Sequence, residues 1–478
     1  MNRDYLQEAL TKFNSTNGVN WYGWKKVDSD GNKIPNDQRM TYANIKIIKD
    51  GATMPSEAEV NAKIQELKDD EQAAIDKKAS GKQKLKDLGL DDAEIKALIG
   101  QIMAITRIGN IASTIPDDSI QNAKFSNIVQ SKNIIINGDM SIAQRGTSVT
   151  GNTAGGYTTV DRWNTILTTA GTYTISQSTD VPSGSGFANS MKFDCTTADA
   201  SLAAGDNMRL QSKFEGQNLQ YLKKGTSNAE SLTASFWVKS VKTGTYILEL
   251  EDKDNTRKIS KSYTISSANT WEKKTVTFPG DTTGAFNNDN ARSLDVMFWL
   301  AAGSTFSGGT TLNTSWGAPS TADRAVGQVN LSDSTSNDFY ITGVQLEAGT
   351  TASEFEFLPV DVNSQRCHRY YYTLLPLGSL NKYFLTGYYY STGYIYCNTL
   401  FPTIMRASPS LEQVGGTNYY QFYSAASGDT FDDFTNTQTL NPNSAFFGNN
   451  SDVSGTAGNA GAVYCGNNAA YVAFTAEL

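Results

Sequence analysis

Residues 133–146 read NIIINGDMSIAQRG, and the character of the chain changes around them. Upstream the sequence is charged and helical in pattern; 19 of residues 55–100 are charged. Downstream it is Gly, Thr, Ser and aromatic, with few charges. The region opened here is closed by YITGVQLEAGTTASEFE (340–356) and then QRCHRYYY (365–372). The expected fold class is mainly β: a short helical N-terminal segment, a β-sandwich, and a second compact all-β domain that forms the tip.

Within 133–360, six segments largely alternate apolar and polar residues, the period of a half-buried strand. They are MKFDC (191–195), ESLTASFWVKS (230–240), TYILELED (245–252), WEKKTVTFP (271–279), SLDVMFWLAAG (293–303) and DFYITGVQLE (338–347). Alternation puts Phe236 and Val238 on one face and Trp237 and Lys239 on the other. Val276 and Phe278 share a face. Asn287 to Asn290 and Ser307 to Gly309 suit surface loops. No short internal repeat is visible, which disfavours a propeller or a β-helix.

Outward on the N-terminal side, residues 1–54 form a small unit around Trp21, Tyr22, Trp24 and TYANIKIIKDG (41–51), read as a short β-unit. Residues 55–105 are the helical region. Ser56 with Glu59 is a capping-box pattern. Val60, Ile64, Leu67 and Ala74 or Ile75 make one apolar stripe to about Lys78. Ser80 and Gln83 open a second helix that ends near Gly89, and Asp91 caps a third carrying Ile95, Leu98, Ile99 and Ile102. No facing helix in this reading covers the first stripe. Two solutions stay open: three helices from three chains, or a helical hairpin folding on itself. Residues 106–132 read as a linker.

On the C-terminal side, residues 361–478 hold 14 of the 23 tyrosines and none of the seven tryptophans. Strand candidates are NKYFLTGYYYS (381–391), GYIYCNTLFP (393–402), NYYQFYS (418–424), GAVYCG (461–466) and AAYVAFTAEL (469–478).

Composition removes several function classes. Over 478 residues the net charge is −8, so a phosphate-neutralising nucleic-acid face is not expected. No stretch is apolar enough to insert in a membrane, and no signal-type apolar run follows Met1. The expectation is a chain made and folded in a cytosol. Cys195, Cys367, Cys397 and Cys465 lack CxxC spacing, so free buried thiols are expected rather than a disulfide framework or a zinc site.

The two ends of the sandwich resemble a known family. NIIINGDMSIAQRG, followed by YTTVDRW (157–163), resembles the start of receptor-binding tail-fibre proteins of bacteriophages. GVQLEAGTTASEFEFLPVDVNSQRCHRYYY (343–372) is similar to their closing segment: a GVQLE strand, the Phe355-Glu356 pair, then Cys367 to Tyr371. FPTIMRASPSL (401–411) is similar to a strand that follows. The resemblance covers about residues 110–411. It implies a jelly-roll-like sandwich similar to carbohydrate-binding modules, and a homotrimer. It further implies an N-terminus docked on a phage tail or other virion protein, a host cell-surface glycan as ligand, and a place in the virion after assembly in the host cytoplasm.

Chemistry has few candidates. His368 is the only histidine, no GxSxG elbow is present, and a site built from several histidines is excluded by number. Asp429, Asp432 and Asp433, or Glu347, Glu354 and Glu356, are the carboxylates a glycoside hydrolase would need. Each set is close in sequence, as surface charges usually are, so a non-enzyme without cofactors is expected. Asp28, Asp30 and Asn32 alternate as in part of a calcium loop, but the twelfth position is Arg39, and turn chemistry explains them. The tyrosine-rich tip carries the function. Rings cover the apolar face of a sugar, and amides and phenols answer its hydroxyls. Candidate contacts are Tyr388, Tyr389, Tyr390 and Tyr394, in a cluster with Tyr396; Tyr419, Tyr420 and Tyr423; and Phe446 and Phe447 in a long Asn/Gly-rich loop. Alternation turns about half of these rings inward. The reading is a tail-fibre receptor-binding subunit. The alternatives are a polysaccharide depolymerase and a purely structural fibre or head decoration protein.

Overall fold

The computed structural model describes residues 4–87 and 132–478. The chain divides into two compact units, one on each side of residues 125 and 126.

In the first unit, α1 (Tyr5–Thr11) and α2 (Asn14–Asn17) precede a two-stranded antiparallel ribbon, β1 (Tyr22–Trp24) with β2 (Ile45–Ile47), and then a long helix, α3 (Glu57–Asp87). Asp4 caps α1 by accepting from the Gln7 N–H at 3.1 Å. Ser56 and Glu59 form the expected capping box: Glu59 N–H donates to Ser56 Oγ at 3.2 Å, and Ser56 N–H donates to Glu59 Oε2 at 2.7 Å. Val60 and Leu67 of α3 are buried with Ala9 and Leu10 of α1, Trp21 and Ile45. Asn17 ties the unit together by accepting from and donating to the backbone of Thr53.

Two expectations are corrected here. The early part of the α3 stripe is covered by α1, a helix not anticipated from the sequence, so it needs no second chain; Ile75, two turns on, is exposed. Ser80 and Gln83 do not open a new helix but lie inside α3. One Ser and one Gly among Lys, Gln and Ala cost about 1 kcal/mol of propensity, too little to break a helix without proline. The third helix and the linker lie outside the described residues. In the DSDGN turn, Asp28 Oδ1 accepts from Asp30 and Asn32 N–H, both at 2.9 Å.

The second unit is mainly β. Its strands in the sandwich are β3 (Ser148–Asn152), β4 (Gly155–Gly156), β5 (Asn164–Leu167), β6 (Thr172–Ser178), β7 (Ser190–Thr197) and β8 (Asn207–Glu215). They continue with β9 (Leu232–Ser240), β10 (Gly244–Asp252), β11 (Arg257–Ile265), β12 (Glu272–Phe278), β13 (Arg292–Ala302) and β14 (Asp338–Ala348). Two six-stranded antiparallel sheets result, in the orders β11-β10-β13-β8-β5-β4 and β12-β9-β14-β7-β6-β3. They pack face to face as a sandwich. Their inner faces share one core that includes Trp163, Phe193, Phe236, Tyr246, Phe298 and Phe339. Phe236, Val238, Val276 and Phe278 are all buried there, as the alternation requires.

The first of these sheets is also covered outside. Glu249, fully buried, accepts from Trp299 Nε1 and from Arg324 Nε, both at 2.8 Å. The segment that brings Arg324 down includes α4 (Ser304–Ser307), whose Phe306 packs on Trp299.

NIIINGDM and GVQLE meet in space. Asn133 Oδ1 accepts from the Leu346 N–H and the Ile135 N–H, both at 3.0 Å, and its Nδ2 donates to Val344 O at 3.1 Å. Ile134 N–H donates to Leu346 O at 2.9 Å, and Val344 N–H to Gly138 O at 2.9 Å. Pairing of β14 with β9 slips between Thr342 and Gln345, which leaves Val344 free for these partners. Gly138 is needed at this approach, since a Cβ there would lie 2.0 Å from Val344 O.

After α5 (Val360–His368) comes the C-terminal β region: β15 (Tyr371–Leu375), β16 (Tyr383–Ser391), β17 (Tyr394–Leu400), β18 (Ser410–Val414) and β19 (Tyr420–Ser424). Then follow β20 (Ser427–Phe431), β21 (Asn436–Asn441), β22 (Ser444–Asn449), β23 (Ala460–Cys465) and β24 (Tyr471–Thr475). They make a three-stranded sheet, β15-β24-β18, and a seven-stranded sheet, β20-β19-β23-β16-β17-β22-β21. Between them lies a core with Leu385, Ile395, Phe422, Phe434, Phe447 and Phe474. All four cysteines are free and buried.

Candidate functional site

The seven-stranded sheet positions the aromatic residues. Its inner face is set by Leu385, Ile395, Cys397, Phe422, Ala445 and Val463, all buried. Residues one step away in each strand therefore face outward. Tyr390 is 61% exposed and Tyr383 57%, and Tyr388 and Tyr423 are also exposed. Tyr394, Tyr396, Tyr464 and Phe446 are half-buried.

The outward rings form two groups. In one, Tyr396 stacks on Phe446 with centroids 4.5 Å apart, Tyr394 lies 4.4 Å from Tyr396, and Tyr390 lies 5.2 Å from Tyr396. Tyr388 borders the same ring at 6.2 Å. In the other, Tyr383 meets Tyr464 at 5.2 Å and Tyr423 at 6.4 Å. Between them an open trough of about 500 Å3 is lined by Tyr383, Thr386, Asn398, Thr399, Leu400 and Ala462. Gln438 Nε2 donates to the Tyr394 hydroxyl at 3.1 Å. Hydrogen bonding with Tyr394 raises the pKa of Tyr396.

Six of the nine residues chosen from the sequence lie where a ligand can reach them or beside such positions: Tyr388, Tyr390, Tyr394, Tyr419, Tyr423 and Phe446. Of these Tyr419 is set apart, half-buried in the turn after Gly416 and packed against the core. Three are corrected. Tyr389, Tyr420 and Phe447 face inward and belong to the core. The Tyr389 hydroxyl donates to Asp429 Oδ2 at 2.9 Å, and the Tyr420 hydroxyl donates to Val414 O at 2.7 Å. The stretch holding Phe446 and Phe447 is not all loop: β22 takes its first part, and strand alternation sends one ring out and the next in. Sequence reasoning missed Tyr383 and Tyr464. The signal was present for Tyr464, which sits between Val463 and Cys465, both inward.

Three of the carboxylates that a hydrolase would use are held as acceptors. Asp429 takes Tyr389, Glu347 takes Ser353 N–H at 2.8 Å, and Glu356 takes Asn133 N–H at 2.9 Å. Burial raises the pKa of Asp433, with Asp452 and Asp432 adding to it. Burial pushes the Cys367 thiol far above its ordinary value and lowers the pKa of the His368 imidazole, whose ring packs on Tyr372. Among the described residues no group of His, Cys, Asp and Glu is arranged to hold a metal ion, and no helix is long and apolar enough to cross a membrane.

A second cavity, of about 540 Å3, lies beside α5 and is lined in part by Asn133, Phe214, Tyr221, Arg366, Arg369 and Tyr370. Its Arg369 is committed to Glu215, which accepts from Nε at 2.7 Å and from Nη2 at 2.6 Å.

No protein-family model matches the chain, and no curated protein matches it. Solved structures similar to part of it include the enzymatically active domain of bacteriophage CBA120 tailspike protein 4, at 14% identity and a TM-score of 0.24. That match covers 45% of this chain and 21% of the other. A family 11 carbohydrate-binding module of a Clostridium thermocellum cellulosomal cellulase matches at 12% identity and a TM-score of 0.22, over 43% of this chain and 98% of the module. The TmCBM61 module in complex with β-1,4-galactotriose matches at 10% identity and a TM-score of 0.23, over 46% and 99%. Likeness this slight carries no conclusion about function.

Proposed function

We propose that this chain is a receptor-binding subunit of a bacteriophage tail fibre that holds a host-surface glycan on the outer face of its seven-stranded sheet. The observation that carries the reading is the set of eight outward rings, Tyr383 to Tyr464 and Phe446 among them, on a sheet whose other face already has a full core. Folding accounts for the inward rings. It does not account for two clusters of rings facing solvent on one sheet face, and exposed apolar patches of this kind mark binding sites. Phenols and neighbouring amides suit a hydroxyl-rich ligand with an apolar face.

The resemblance of residues 133–146 and 343–372 to phage tail-fibre proteins supplies the biological setting. In that setting the N-terminal unit attaches to a virion protein, and three copies assemble, so that weak sugar contacts gain from effective concentration. No catalytic role is assigned.

Glycan-array binding of the intact chain tests the reading, together with its mass by light scattering. The expected results are retention on a subset of surface glycans, loss of it on combining Tyr390→Ala with Tyr396→Ala, and a mass near three times 51.9 kDa. A trimer that binds no glycan, with these rings protected from modification, makes the face a contact between copies and the protein a structural fibre subunit.

A further inference from the structure

We infer that the ligand of this face is an uncharged glycan bound along its chain, rather than a single terminal or acidic sugar; this rests on the glycan-binding reading above. Strand register carries the inference. Tyr423 opposes Ala462, Ala462 opposes Thr386, Thr386 opposes Asn398, and Asn398 opposes Phe446. These five residues form one cross-strand row over β19, β23, β16, β17 and β22. Four inter-strand steps make a row about 19 Å long. It is aromatic at both ends and small or polar in the middle. Next to it run the pairs Tyr388 with Tyr396 and Tyr383 with Tyr464.

The middle of the row is the floor of the trough. Ala462, Thr386 and Asn398 are short, so the rings at either end stand above them. A single pyranose can cover one aromatic group but cannot reach both. A chain can lay rings against each end while its hydroxyls meet Thr386 and Asn398 between. No Asp, Glu, Lys, Arg or His lines the trough or belongs to the row. A carboxylated or sulfated sugar placed here would lose part of its hydration with no cation to offset it. A neutral chain has no such cost. Salt screens charge–charge attraction, so binding without charges is insensitive to it.

The test uses the full chain in affinity electrophoresis through neutral and acidic polysaccharides, at about 50 and 500 mM salt, where screening differs strongly. Oligosaccharides of the best ligand, from one to six sugars, then serve as inhibitors. Expected are retardation by a neutral polysaccharide, a change in affinity below about twofold between the two salts, and inhibition by the hexamer at least about tenfold better than by the monomer. Tyr423→Ala and Phe446→Ala each remove most of the hexamer's advantage with the unfolding midpoint unchanged. Retardation only by acidic polysaccharides, lost on adding salt, overturns the inference while leaving glycan binding in place. So does a monosaccharide that inhibits as well as the hexamer. Retardation by no polysaccharide at all overturns both.

Discussion

Tyr396 and Phe446 stack across neighbouring strands with 4.5 Å between ring centroids and 24° between planes. They are diagonal neighbours: Tyr396 opposes Gly448, and Phe446 opposes Asn398. Gly448 lets the two strands approach closely here, since a Cβ there would lie 1.8 Å from Ile395 O. The residue after Phe446, Phe447, points the other way into the core and touches Phe434 and Phe474. Adjacent phenylalanines therefore have separable roles.

Phe446→Ala is expected to leave stability within about 1 kcal/mol of the parent, as for other partly exposed side chains. It should lower glycan affinity at least about tenfold. Phe447→Ala is expected to cost about 3–5 kcal/mol by opening a core cavity, while the folded fraction binds as before. Denaturant unfolding and affinity electrophoresis on the same two variants read both quantities. If Phe446→Ala unfolds as readily as Phe447→Ala and keeps its affinity, the outer face has no binding role.

Much of the sandwich is legible from alternation because β9, β12 and β14 each bury one face against the shared core. What is not legible is that the polar sides of β8 and β11 are covered too. In NMRLQSKFE and RKISKSYTI the residues between the apolar positions are charged or polar, yet Gln211 and Lys213 are buried. The outer side of their sheet lies beneath later parts of the chain, so charge there does not mean solvent, and no local pattern can say so. At the tip, alternation tells that about half of the rings turn inward but not which half. Register slips between Tyr383 and Leu385 and between Tyr389 and Ser391 reset the count within β16 itself. A parity read from either end of that strand misplaces rings at the other.

The junction of the opening and closing segments predicts its own weak point. Asn133 is buried and satisfies three main-chain groups with one side chain. Asn133→Ala leaves the Ile135 and Leu346 N–H groups and the Val344 carbonyl with fewer partners. The expected loss is about 2–4 kcal/mol, the scale for buried polar groups stripped of hydrogen bonds. Gly138→Ala should cost about 1–3 kcal/mol through overpacking against Val344 O. Urea unfolding measures both. Losses below 0.5 kcal/mol in both variants, the scale of ordinary surface changes, would contradict the stitched closure.

Asp161 predicts a pH dependence. It is fully buried, accepts from the Gln144 N–H at 3.0 Å, and has Arg145 at 4.0 Å. Burial pushes its pKa from 3.8 up to about 6, Glu477 adds to this, and Arg145 and Gln144 oppose it. Because the folded value is above the unfolded one, the native state binds more protons in between. Stability from this group is complete below about pH 4 and is lost as pH rises through about 6. Across that window the effect is on the order of 3 kcal/mol. Other carboxylates, Glu215 among them, are shifted down and act oppositely at lower pH. The difference between the parent and Asp161→Asn isolates the effect. Their stability difference should change between pH 4 and 7, and a flat difference refutes the assignment.

Arg162 and Glu477 join the sandwich to the tip region through a buried ion pair. The Arg162 guanidinium also lies 3.5 Å from the centre of the Tyr370 ring and donates to Lys213 O at 2.6 Å. Close by, Arg406 donates to Ala476 O at 2.7 Å and to Asn290 O at 3.1 Å. The polar joint therefore draws on both β regions, and each region leaves charges buried if the other is removed. One consequence is that 132–478 should unfold in a single cooperative step. Hydrogen exchange in β13 and in β23 should give the same opening free energy, whereas independent domains give two values. A second consequence is that Glu477→Gln, which leaves Arg162 buried without its counter-charge, should cost about 3–5 kcal/mol. Arg162→Met should cost a similar amount, and the double variant less than the sum of the two, because the second change removes a charge that the first had stranded. Additive losses in that cycle would show that the pair does not couple the two regions.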